Sequence, residues 1–86
     1  MTLRLADHVS VTRTEDGAVL LDERTGRYWQ LNPAGSAVLH TLLDGGDQAG
    51  AARLLVERQG ADAATVDADV AEVVAHLCAA GLAVRR

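Results

Sequence analysis

From His8 to Thr14 apolar and polar residues alternate, and from Pro33 onward the apolar positions recur at the spacing of a helix. Val9 and Val11 share one side of a run whose other side is His8, Ser10 and Thr12, which predicts a half-buried strand over His8 to Thr14. Glu15-Asp16-Gly17 supplies an Asp-Gly hairpin signal, and Ala18 to Asp22 returns as a second strand. Gly26 can take the positive φ that ends the loop from Asp22 to Gly26, after which Arg27 to Leu31 has the aromatic, pleated composition of a third strand. Short connections predict an antiparallel meander with this third strand at an edge, its outer backbone groups unpaired. Residues before His8, from Met1 to Asp7, show no such pattern and read as a loose lead-in.

Asn32-Pro33 turns the chain from sheet to helix. Asn offers a side-chain oxygen to free N–H groups, and Pro at the first helical position gives up an N–H that had no partner. The first helix, Pro33 to Asp44, places Ala34, Val38, Leu39, Leu42 and Leu43 at helical spacing, with Ser36, His40 and Asp44 on a polar stripe, and Gly45-Gly46 ends it. Asp47 caps a second helix to about Gln59, with Ala51, Ala52, Leu54 and Leu55 inward, and Gly60 stops it. A third begins at Asp62 or Thr65, runs to Ala80 and stops at Gly81, leaving Leu82-Ala83-Val84 as a short extended tail. Val66, Val70, Val73, Val74, Leu77 and Cys78 form its apolar arc of about 140°, beside a polar stripe of Thr65, Asp69, Glu72 and His76. The fold class is α+β, a three-stranded antiparallel sheet followed by three helices in one domain spanning residues 1–86.

A chain of 86 residues has a small core and little room for an enzyme cleft. Hydrophobic residues make up 49% but aromatics only 2%, so Leu, Val and Ala must build that core, and Tyr28 and Trp29 stand out as large contact groups. All eight basic residues are Arg, which excludes Lys-based chemistry such as a Schiff base. Cys78 is the single cysteine and cannot pair within the chain, and the start Met1-Thr2-Leu3-Arg4 lacks the apolar core of a signal peptide, so a cytoplasmic location is expected. No apolar run reaches membrane-spanning length.

Catalytic and metal-binding constellations are not visible. His76 and Cys78 lie two positions apart, where helical side chains diverge, and His8 and His40 have no neighbours at ligand spacing. The second and third helices with the preceding strands do have the order of a winged helix-turn-helix. A DNA reader needs Arg or Lys on its recognition helix, whereas Asp62, Asp67, Asp69 and Glu72 occupy this one and the net charge is −4. DNA binding stays only as an alternative, as does a subunit that merely stabilises a partner enzyme.

The ordered set Thr25-Gly26-x-Tyr28-x-x-Leu31-Asn32, Asp44-Gly45, Ala52-x-x-Leu55, Val66-x-x-Asp69-Val70 and Leu77-x-x-x-Gly81-Leu82 resembles the PqqD family. These small winged-helix domains, the RiPP recognition elements, bind the leader segment of a ribosomally made precursor peptide. The resemblance runs from about His8 to Val84 and is greatest to the stand-alone leader-binding proteins of lasso peptide biosynthesis; an element of another pathway, such as pyrroloquinoline quinone synthesis, is the alternative. It implies a non-enzymatic peptide chaperone without a cofactor, whose partners are the leader, a leader peptidase and a cyclase. It also implies that the leader adds as a strand beside Arg27, Tyr28, Trp29, Gln30 and Leu31, in a groove walled by Val66, Asp69, Val70, Val73 and Leu77. Alternation sends Trp29 and Leu31 toward the helices and Tyr28 and Gln30 away. Either flank of the third helix could face the peptide, the second being Asp67, Val74 and Cys78.

Overall fold

The computed structural model describes residues 3–85. In chain order the elements are β1 (Leu3–Leu5), β2 (Val9–Thr14), β3 (Gly17–Asp22), β4 (Tyr28–Leu31), α1 (Pro33–Leu43), α2 (Gln48–Gln59), α3 (Val66–Ala79) and β5 (Ala83–Arg85). The fold is α+β, as the periodicity predicts. Strands β2, β3 and β4 form an antiparallel sheet in that order, so β4 lies at one edge. Leu20 stands opposite both Val11 and Trp29, and Ala18 opposite Leu31. Opposite residues share a face. Ala18, Leu20, Trp29 and Leu31 therefore turn toward the helices, and α1 packs directly on β3 and β4. The core beneath them comes from Val38, Leu39 and Leu42 of α1, Ala51, Ala52 and Leu55 of α2, and Val66, Val70, Val74 and Leu77 of α3.

Asn32 and Asp47 cap as expected: the N–H of Gly35 donates to Asn32 Oδ1 at 2.7 Å, and that of Gly50 to Asp47 Oδ1 at 2.7 Å. Three expectations need correction. The lead-in is not loose over its described part, since Leu3–Leu5 form β1, antiparallel to β5; Met1 and Thr2 lie outside the described residues. The tail expected after Gly81 is accordingly a paired strand, and Leu3, Leu82 and Ala83 are buried where the pair meets the core. Ser36 is not on a solvated stripe: it is only 8% exposed, and the His40 Nδ1–H donates to its carbonyl oxygen at 2.8 Å.

The loop between β3 and β4 is held by Asp22. Its Oδ1 accepts the N–H of Arg24 at 2.9 Å and of Thr25 at 3.3 Å, and Oδ2 lies 3.8 Å from His8 Nε2. Burial alone would raise this carboxyl, but the two backbone N–H donors and the charge of His8 outweigh it and hold the group below its ordinary value of 3.8. A depressed carboxyl stabilises the fold fully above 3.8, and this contribution is lost as pH falls through the lower folded value. Asp22→Asn keeps an acceptor oxygen and removes the charge. Its urea midpoint, measured from neutral pH into strong acid, should therefore fall less on acidification than that of the natural chain; parallel acid limbs would show that Asp22 contributes nothing there.

Candidate functional site

The edge strand β4 does not face open solvent along its whole length. Between it and α3 lies a cleft of about 480 Å³, lined by Trp29, Gln30, Leu31 and Asn32 on one side and by Asp69, Glu72, Val73, His76, Leu77 and Ala80 on the other, with Gly35 and Leu82 completing it. Two properties of β4 matter here. Its inward side chains, Trp29 and Leu31, pack partly on the core and leave the remainder of their surfaces to the cleft. Arg27 sits with its guanidinium carbon 5.6 Å from the Trp29 ring centroid, a cation–π distance that favours one ring orientation.

The second property is the backbone. The Asp22 N–H donates to the Arg27 carbonyl at 2.8 Å, and bonding residues alternate along an antiparallel pair. The Arg27 carbonyl and the main-chain groups of Trp29 and Leu31 thus face β3, the Arg27 N–H donating instead to Thr25 Oγ1 at 3.2 Å, while Tyr28 and Gln30 direct theirs to the free edge. The side chain of Tyr28, 65% exposed, stands on the outer face beside Leu21, away from the cleft.

On α3 the wall is one flank rather than the centre of the apolar arc. Asp69, Glu72, Val73, His76 and Ala80 follow helical spacing along it, and Leu77 is shared with the core. Val66 and Val70, expected in the groove wall, are 4% and 0% exposed and belong to the core. An apolar arc cannot face both ways: the residues pointing at α1 and α2 are sealed, and only the flank turned toward β4 remains open. The alternative flank, Asp67, Val74 and Cys78, lies off the cleft, with Val74 fully buried. Sequence reasoning missed Asn32, Gly35, Glu72, His76, Ala80 and Leu82 as cleft residues. The polar stripe Asp69, Glu72, His76 was the available signal, because it borders Val73 on the open side.

Among the described residues no group of three His, Cys, Asp or Glu side chains could hold a metal ion. His76 Nε2 lies 3.7 Å from Glu72 Oε1 on the exposed rim. Among the described residues no helix is long and apolar enough to cross a membrane.

The family model for coenzyme PQQ synthesis protein D (PqqD) matches residues 17–83. The chain belongs to the PqqD family. Two solved structures share the fold of this family member. One, a lasso peptide synthetase B1 complexed with the leader peptide, is 35% identical, covers 99% of this chain with 100% of its own, and has a TM-score of 0.89. The other, TbiB1 in complex with the TbiA(beta) leader peptide, is 25% identical over 93% of both chains, with a TM-score of 0.80. No curated protein sequence matches significantly. The two alignments cover 99% and 93% of this chain, and the PqqD match begins at the first residue of β3 and ends in β5.

Proposed function

We propose that this PqqD-family chain binds the leader segment of a ribosomally made precursor peptide as an added strand on β4, and presents it to a leader peptidase and a cyclase of lasso peptide biosynthesis without catalysing a step itself. The observation that carries the reading is the open edge of β4 beside a cleft whose apolar surface comes from Trp29, Leu31, Val73 and Leu77. Strand addition uses such a pair of features: main-chain hydrogen bonds set register, and alternate peptide side chains drop into flanking pockets. Two solved relatives that are complexes with leader peptides support the choice of partner. The acidic α3, with Asp67, Asp69 and Glu72 and no Arg, does not favour a nucleic-acid duplex in the same place.

An extended leader paired with β4 meets the N–H and C=O groups of Tyr28 and Gln30. Its alternate apolar side chains meet Val73 and Leu77, while Arg27 and Asp69 lie where charges on the peptide could approach. Ordering a flexible segment offsets much of the contact energy, so binding of about −8 to −10 kcal/mol is expected, micromolar to tens of nanomolar. Amide hydrogen exchange tests the register residue by residue. Adding leader should slow exchange at Tyr28 and Gln30, whose N–H groups face the edge, with little change at Trp29 and Leu31, which β3 already protects. Protection appearing on β2 instead would move the site to the opposite edge of the sheet.

A further inference from the structure

The two walls of the cleft are unequal in charge. Trp29, Gln30, Leu31 and Asn32 are neutral, and every ionisable lining group comes from α3: Asp69, Glu72 and His76. Among the described residues no Arg or Lys lines the cleft, the nearby guanidinium of Arg27 being stacked on the Trp29 ring. Asp69 has a local explanation, since it lies in the first turn of α3, where a carboxylate complements the positive end of the helix dipole. Glu72 lies beyond that turn, where the dipole has faded. Its ion-pair partner among the described residues is His76, and with side chains 71% and 77% exposed that contact is weak and leaves the carboxylate accessible. The rim above the apolar floor therefore presents two carboxylates to whatever occupies the cleft.

We propose that the cleft selects peptides carrying Lys or Arg at the position that passes Asp69 and Glu72, and rejects those with Asp or Glu there. This rests on the peptide-binding reading above and adds the charge rule to it. A seated peptide displaces water from the rim, which strengthens attraction to a cation and places a carboxylate beside two like charges. A single exposed pair is weak, but exchanging attraction to two carboxylates for repulsion from both should change affinity about tenfold. The apolar pockets then supply most of the binding, and the rim decides among peptides that fill them equally well.

The test is selection of a displayed library of random peptides on the natural chain, on Val73→Asp and on Asp69→Lys/Glu72→Lys. Peptides enriched on the natural chain should carry Lys or Arg at one fixed offset from their alternating apolar residues, and the double Lys variant should exchange these for Asp or Glu at the same offset. A peptide from the first selection, resynthesised with Glu for its basic residue, should bind the natural chain about tenfold more weakly and the double Lys variant more tightly. Should the double variant fold poorly by circular dichroism, Asp69→Asn/Glu72→Gln serves in its place, and the peptide's affinity should lose its salt dependence. Failure to enrich any related peptides on the natural chain, or enrichment that Val73→Asp leaves intact, overturns the peptide-binding reading and the charge rule together. Enrichment that Val73→Asp abolishes, but with one charge preference on both remaining proteins or a salt dependence unmoved by neutralisation, overturns the charge rule alone.

Discussion

Val73→Asp is expected to leave a folded protein that binds peptide far more weakly, whereas Val70→Asp, one turn earlier on the same helix, is expected to unfold it. Val70 is wholly buried among apolar side chains, and a carboxylate there has no partner and no route to water. A cost of more than about 4 kcal/mol would match or exceed the whole stability of a domain this small. Val73 is half-buried, packing on the core with part of its surface while lining the cleft with the rest. An Asp at that position can hydrate, so a loss near 1 kcal/mol, or about 4–8 °C in Tm, is expected. It sits where an apolar peptide side chain would seat, and affinity should fall roughly 50-fold or more, about 2–3 kcal/mol. Circular dichroism and a fluorescence titration of each variant decide the matter. An unfolded Val73→Asp protein would place that residue in the core and remove it from the site.

Gly17→Ala should be the most damaging of the small substitutions. Gly17 has a φ of 140°, and an added Cβ would overlap the carbonyl oxygen of Leu31 and lie 2.8 Å from the carbonyl carbon of Asn32. That contact joins the β2–β3 turn to the corner where β4 becomes α1, so β4 would have to move to admit a methyl group. Strain and clash together should cost about 3 kcal/mol or more. Gly26 provides the control: its φ is 76°, yet nothing lies within 4 Å of a Cβ built there. Gly26→Ala should thus lose only the conformational term, about 1 kcal/mol. Urea midpoints that fall equally for the two would show that backbone conformation alone matters at Gly17. Because the displaced strand is the one with the free edge, Gly17→Ala should also weaken peptide binding in whatever fraction remains folded.

The edge strand could be read from the sequence because its signals were local: an Asp-Gly turn before it in the meander, Gly26 and the aromatic composition of Arg27 to Leu31, and an Asn-Pro corner whose cap forms as expected. β1 and β5 could not. Each is only three residues long, and its partner lies at the other end of the chain, so neither strand carries a signal without the other. The groove wall was legible to within a rotation of α3. Periodicity shows that Val66, Val70, Val73, Val74 and Leu77 share an arc, but it does not show which part of the arc α1 and α2 cover. Packing hides Val66, Val70 and Val74 and leaves Val73 half open, which moves the site toward Asp69, Glu72 and His76. Ser36 was misplaced for a related reason: a small hydroxyl with its backbone carbonyl engaged by a neighbouring imidazole can be buried without leaving a polar atom unsatisfied.

Leu3 stands directly opposite Arg85 in the β1–β5 pair, so the described chain enters and leaves at a single point. Closing a loop of nearly the whole chain costs little more than closing a short one, since the entropy grows only with the logarithm of length. A domain whose ends meet in this way can be spliced into a surface loop of a host enzyme without prying that loop apart. Such a unit is thereby mechanically suited to stand alone or to sit as a graft within a larger protein.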